Sequence, residues 1–243
     1  MRAVITITAM TTTMPIPRMI DAAATLRLLA WLSPSFPTGA YAYSHGLEWA
    51  VEAGDIRDGE TLRVWLEDVL SQGAGRSDAI LLRHAHRGAE DVDALANIAE
   101  LAAATSPARE RQGETLGQGS AFVAAATPWH TPALIALAAR IGREAIAYPV
   151  AVGALAGAHG IPEDAVAAGY LETFIANLIS AAVRLVPLGQ TAGLRVLAAL
   201  EPVILRIAIE TRAATLDDLG GCVFRSDIAA MRHETQYTRL FRS

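Results

Sequence analysis

Ile161-Pro-Glu-Asp-Ala-Val-Ala-Ala-Gly-Tyr-Leu-Glu-Thr-Phe-Ile-Ala-Asn-Leu-Ile-Ser-Ala-Ala-Val-Arg-Leu-Val-Pro-Leu-Gly-Gln190 is the stretch that decides the fold. Proline at the start and acids in the first turn mark a helix N-terminus, where carboxylates complement the helix dipole. Val166, Tyr170, Phe174, Leu178 and Leu185 are apolar, and so are most residues between them. A helix apolar nearly all round lies inside a protein, so this one is expected at the domain centre. Val186-Pro-Leu-Gly-Gln190 ends it.

Working outward, helical signals repeat on both sides. Ile20–Leu32 is rich in Ala and Leu and stops at Ser33-Pro34. Pro34, Pro37 and Gly39 make a rigid loop before a helix expected near Tyr41–Glu52, with Gly54 at its end. Asp58 is placed to cap Thr61–Ser71, whose Leu62, Trp65, Leu66, Val69 and Leu70 share one face. Ser77 is read as the cap of a helix to about Arg87, and Asp91–Thr105 follows. Ser106-Pro107 and Thr131-Pro132 both read as an N-cap followed by proline. Thr191–Arg212 carries Pro202, which predicts a kink or break. Val203–Ile209 is the best strand alternative, although its flanks look helical. The expectation is a single all-α domain of roughly ten helices over residues 19–224, a disordered leader over 1–18 and a detachable, partner-binding tail over 225–243. Met14 and Met19 offer alternative starts to Met1.

Composition excludes several functions. The chain has 243 residues, of which 52% are hydrophobic and 19% charged, enough for a large core. The formal net charge is −5, so nothing points to a nucleic acid. All 20 residues in the Lys+Arg count are Arg. Without lysine there is neither a Schiff base nor a P-loop, and so no self-contained P-loop NTPase. The one cysteine, Cys222, excludes an internal disulfide and fits a reducing compartment. Mean hydropathy is +0.31, but Ala carries much of it. The longest uncharged stretch, Thr115–Ala139, is broken by Pro128 and Pro132, so no membrane-spanning helix is expected.

Catalytic patterns are missing. There is no Gly-x-Ser-x-Gly elbow, His-Glu-x-x-His, phosphate cradle or paired Cys motif. His84 and His86 form the most obvious metal suggestion. On a helix they point ~200° apart, so one ion cannot take both from one face. His45, His130, His159 and His233 have no evident partner ligands in sequence. Gly113, Gly117 and Gly119 read as sites of close helix packing.

Two runs stand out. Leu32–Trp49 places Tyr41, Tyr43 and His45 beside a Pro-rich loop. Ser226–Ser243 is dense in Arg, His, Glu, Gln and Tyr, with apolar anchors at Ile228, Met231, Leu240 and Phe241. Arg225, Arg232, Arg239 and Arg242 offer planar donors for carboxylates across an interface, and Tyr237 and Phe241 read as aromatic anchors. The tail is expected to order on binding a partner.

Four blocks together resemble the UreF family of urease accessory proteins. They are Pro37-Thr-Gly-Ala-Tyr-Ala-Tyr-Ser-His-Gly-Leu-Glu48, Tyr148-Pro-Val-Ala-Val-Gly153, Val183-Arg-Leu-Val-Pro-Leu-Gly-Gln190 and Ser226–Ser243. Ala42, Leu194 and Ala230 depart from residues common in the family. The resemblance implies an all-helical, homodimeric, cytoplasmic chaperone without chemistry of its own. It implies partners UreD (also called UreH), the GTPase UreG and apo-urease (UreABC), with GTP-dependent nickel insertion into urease. It implies no nucleic acid, no membrane and no permanently bound cofactor, nickel being handled in transit by the complex. The partner-binding residues it implies are Gly39, Tyr41, Tyr43, Ser44, His45 and Glu48, with Arg225, Asp227, Arg232, His233, Glu234, Gln236, Tyr237, Arg239, Phe241 and Arg242. The tail would engage UreD, and Tyr41–Glu48 with the C-terminal block would help form a face for UreG. The competing readings are a helical metal-binding protein built on its histidines or Cys222, and a membrane-associated protein suggested by hydropathy alone.

Overall fold

The computed structural model describes residues 22–243, which form eleven α-helices with short 3-10 turns and, among the described residues, no strand. The expected leader over 1–18 lies outside the described residues, as does the start of the helix expected from Ile20. The helices are α1 (Ala22–Trp31), α2 (Leu47–Glu52), α3 (Gly59–Gln72), α4 (Ala74–Arg87), α5 (Val92–Ala104), α6 (Arg109–Ala125), α7 (Pro132–Ile141), α8 (Tyr148–Ala158), α9 (Glu163–Leu185), α10 (Gly189–Glu210) and α11 (Phe224–His233).

The quoted stretch forms α9, with Val166, Tyr170, Leu178 and their neighbours in the core. By length and composition α9 could cross a bilayer, but half of its apolar window is buried inside this fold. The innermost helix is α8: every residue from Tyr148 to Ala156 is buried. It can sit there because its glycines let other backbones in. A Cβ on Gly153 would collide with the Leu82 carbonyl, and one on Gly157 with the His86 carbonyl, both in α4. Gly119 of α6 meets the Ile146 carbonyl in the same way, and Gly117 lies under the Tyr43 hydroxyl. Gly119, pressed on the backbone that enters α8, bears out close helix packing, whereas Gly117 meets only the end of a side chain from outside the helices. Gly113 does not bear it out, for a Cβ there meets nothing within 4 Å.

Polar ties fix the helix ends. Asp58 caps α3 by accepting the Thr61 N–H at 2.8 Å, and Asp91 caps α5. Arg83, itself buried, holds Glu163, Asp164, Thr211 and the Ala208 carbonyl, joining α4 to the start of α9 and the end of α10. His84 and His86 serve the same purpose as hydrogen-bonding residues, reaching the Ala214 and Ile161 carbonyls at 3.0 and 2.7 Å.

Several expectations need correction. Tyr41–Glu52 is not one helix. A 3-10 turn over Ala40–Ala42 gives way to α2 at Leu47, because His45 (φ 61°) and Gly46 (φ 79°) are left-handed. The Gly46 backbone runs so close to α11 that a Cβ would lie 2.7 Å from the Ala230 nitrogen. Ser77 lies inside α4, and Ser106-Pro107 precedes α6 without capping it. Pro202 does not break α10, which stays helical through the strand alternative Val203–Ile209.

Gly119→Ala should cost about 1–3 kcal/mol through overpacking against Ile146. Gly113→Ala, on the same helix, should be neutral or stabilise by up to about 1 kcal/mol. Urea unfolding of the two variants checks the contrast; equal effects would contradict the packing described.

Candidate partner-binding surface

The two distinctive runs meet. The tail is not a detached segment: α11 packs on α2 and α6, and the residues after it fold back over Ala42–Glu48. The centre of this junction is His233, 0% exposed, with a carboxylate at each ring nitrogen. Its Nε2 lies 3.2 Å from Glu48 Oε2 and its Nδ1 2.6 Å from Glu110 Oε2. A neutral imidazole can donate to one of them; the imidazolium donates to both.

Glu48 does more than face His233. Its carboxylate accepts the Leu240 N–H at 2.7 Å and the Phe241 N–H at 2.9 Å, closing the last turn of the chain onto α2. Gln236 donates to Glu52 at 2.6 Å, and Arg239 donates to Glu110 at 2.8 Å. The Arg242 N–H donates to the Ala42 carbonyl at 2.8 Å. Ser243 is buried: its carbonyl accepts from the Ser44 N–H and hydroxyl, and its hydroxyl donates to Glu114 Oε2 at 2.8 Å. His45 completes the corner, with Nδ1 3.3 Å from Glu114 Oε1 and its ring edge-on to Phe174.

Four glutamates from two helices therefore hold the tail: Glu48 and Glu52 on α2, Glu110 and Glu114 on α6. Of these the sequence reading named only Glu48. The signal was present, because each pair is spaced i, i+4. Like charges at that spacing repel on an isolated helix, so two such pairs call for a shared cationic and N–H-rich partner.

Most of the residues assigned to partner binding fall into two sets. Ser44, His45, Glu48, His233, Gln236 and Phe241 are buried and bind the block to itself. Phe241, expected as an aromatic anchor, lies beneath the Arg184 guanidinium at 4.3 Å, and Arg184 also donates to the Tyr41 carbonyl at 2.9 Å. Tyr41, Arg225, Arg232, Tyr237, Arg239 and Arg242 are exposed. Gly39 (φ 73°) turns the chain before Tyr41. Tyr43 is half-buried over Gly117, Glu234 accepts the Arg109 N–H at 3.1 Å, and Asp227 faces inward. Arg225 pairs with Asp55 at 2.6 Å and lies over Trp65.

Behind this corner is a cavity of about 110 Å³, lined among others by Asp78, Arg111, Glu114, Tyr170 and Asp227. Burial raises the proton affinity of all three carboxyls. Asp78 is pushed up to about 7, burial outweighing the Tyr170 hydroxyl that donates to it at 2.7 Å. Burial also pulls the Arg111 guanidinium down, against the opposing pull of Glu114. Among the described residues no group of three or more His, Cys, Asp or Glu is arranged to hold a metal ion. Cys222 is exposed.

Comparison with known proteins places this architecture. The profile of the family described as UreF matches residues 56–201. The chain is 52% identical over 227 residues to the "Urease accessory protein UreF" of Bradyrhizobium sp. strain BTAi1, covering 92% of this chain and 94% of that one. It is 56% identical over 221 residues to the protein of that name from Xanthobacter autotrophicus, covering 90% of each. It is 53% identical over 230 residues to that of Methylorubrum populi, covering 93% of this chain and all of that one. The chain belongs to the UreF family of urease accessory proteins.

His233→Ala should destabilise the fold by about 2–4 kcal/mol, because it removes a fully buried ring and takes a hydrogen-bonding partner from the Glu48 and Glu110 carboxylates. Arg225→Ala, which removes an exposed pair, should cost about 1 kcal/mol or less. Chemical unfolding of both variants decides it, and equal losses would contradict the ranking. The native state keeps a proton on Asp78 that the unfolded chain releases near the ordinary carboxylate value. Its contribution to stability is therefore full at low pH and is lost as pH rises towards about 7. Asp78→Asn should flatten the fall in stability between the ordinary carboxylate range and about 7, measured as melting temperature against pH.

Proposed function

We propose that this chain is a non-enzymatic adaptor of urease maturation. It joins UreD (UreH) and the GTPase UreG on apo-urease (UreABC), so that GTP hydrolysis by UreG is coupled to nickel insertion. Nickel is cargo of the assembled complex rather than a resident of this chain, and the work is done in the cytoplasm by a homodimer.

The observation that carries this reading is the construction of the C-terminal block in a chain of this family. Polar groups that look like a solvated tail are spent on buried bonds: Glu48, His233, Gln236 and Ser243 fix the backbone. Large aromatic and guanidinium side chains are then presented outward at Tyr41, Tyr237, Arg239 and Arg242. Tyr and Arg on a rigid frame lose little entropy on contact, which is what a recognition surface needs. The side chains at the junction tie α2, α6 and α11 to one another, so they support a scaffolding role.

The test is co-purification of the full chain with UreD and UreG, followed by urease activity with nickel in a strain lacking this chain. A ternary complex and nickel-dependent rescue are expected. A chain that stays alone and restores no activity would overturn the proposal.

A further inference from the structure

The cavity behind the tail holds a cation whose bonds are not made. Arg111 Nη1 is buried and has no hydrogen-bond partner among the described residues. Glu114 Oε2 lies 3.9 Å from it, beyond hydrogen-bond reach. Three carboxyls share the space, each from a different helix: Asp78 from α4, Glu114 from α6 and Asp227 from α11. One guanidinium cannot neutralise three carboxylates between walls of protein, so the cavity retains protons that water-exposed carboxyls release. Burial favours a proton on Asp78, against the Tyr170 hydroxyl and with the help of the Glu114 charge. Tyr43 and His45, from the segment before α2, and Tyr148 of α8 are the other ionisable side chains lining the cavity; α3 and α5 present none.

The walls differ in how they are held. Asp78, Glu114, Tyr148 and Tyr170 stand on α4, α6, α8 and α9, which pack on one another in the body. The wall with Tyr43 and His45 is the corner over which the tail folds. That corner is closed by two backbone bonds of 2.8 Å, from the Ser44 N–H to the Ser243 carbonyl and from the Arg242 N–H to the Ala42 carbonyl. Glu114 belongs to both walls. Its Oε2 accepts the Ser243 hydroxyl at 2.8 Å, and its Oε1 lies 3.3 Å from His45 Nδ1. Opening the corner lets water reach Glu114 and the cavity that Asp78 lines.

We propose that this cavity is a proton latch for the end of the chain. A proton held by the Asp78–Glu114 pair keeps Arg242 and Ser243 closed over Ala42–His45, and its loss as pH rises lets that corner open. The closed state binds the proton more tightly than the open, water-filled one. Its contribution to closure is full below the ordinary carboxylate range and is lost as pH rises towards about 7. For one proton the opening equilibrium rises by up to about tenfold per pH unit in that window. Arg111 supplies the give, because its uncommitted Nη1 can turn toward an ionised carboxyl without losing a hydrogen bond. The latch is independent of the adaptor reading: it concerns how the tail is held, not what binds it.

The test is amide hydrogen exchange on the full chain at about pH 5 and about pH 7.5, either side of the window. The readout is the protection factor, which removes the intrinsic pH dependence of exchange. The Ser44 and Arg242 amides should lose at least about tenfold in protection at the higher pH. They should be less protected than α8 amides at both, as for a local opening. Asp78→Asn has no proton to release there and should abolish the loss. Tyr170→Phe removes the donor that favours ionised Asp78, so it should move the loss to higher pH. Equal protection at both pH values in the wild type would overturn the latch. So would a loss that persists in folded Asp78→Asn, or exchange of these amides only together with α8, which would leave the proton to global stability alone. If Asp78→Asn does not fold, Tyr170→Phe decides, and an unmoved loss overturns the proposal.

Discussion

Everything distinctive about this protein hangs on one buried carboxylate, Glu48. It faces His233 Nε2 at 3.2 Å and accepts hydrogen bonds from the Leu240 and Phe241 amides. A carboxylate removed from water costs several kcal/mol unless each oxygen is satisfied, so its partners are not optional. Among the described residues, the far end of the chain supplies them. The constraint brings residues 185 or more positions apart into contact and sets where the tail must run. Once the tail is set, Gln236, Arg239 and Ser243 fall opposite Glu52, Glu110 and Glu114.

The helical body is what makes that junction rigid. α8 is threaded through the centre by glycine contacts with α4, and α6 is pressed on the segment before α8 by Gly119. This fixes Glu110 and Glu114 on α6. Gly46, with its left-handed backbone against Ala230, fixes α2 against α11. The His45 ring is held between Glu114 and Phe174, which supports its own left-handed conformation. The acids and their partners lie inside the junction, and Tyr41, Tyr237 and Arg242 stand on its outside.

Much of the fold could be read from the sequence because local rules agreed with tertiary packing. α3 has both a capping Asp58 and a one-sided apolar face, and α9 has its acidic first turn. α10 shows where a local rule loses: Pro202 is exposed on a helix anchored on both sides of it by Val196, Leu200, Ile204 and Ile207. Continuous burial outweighs one missing hydrogen bond. The break between Ala42 and Leu47 was hidden because His45, a residue with a side chain, adopts positive φ for tertiary reasons. At the site, the sequence showed which two runs matter but not that they touch. The polar tail was expected to order on a partner, whereas here its groups satisfy buried acids of the same chain. The i, i+4 glutamate pairs on α2 and α6 were the missed clue, since their meaning depends on a partner distant in sequence.

The central claim is that the tail is locked on Glu48. Native-state amide hydrogen exchange at Leu240 and Phe241, compared between wild type and Glu48→Gln, tests it most directly. The account predicts protection of both amides in the wild type. It predicts exchange at least about tenfold faster in the variant, with α8 amides unchanged, as for a local opening. Amides at Leu240 and Phe241 that exchange freely in the wild type, or at the same rate in both proteins, would contradict it.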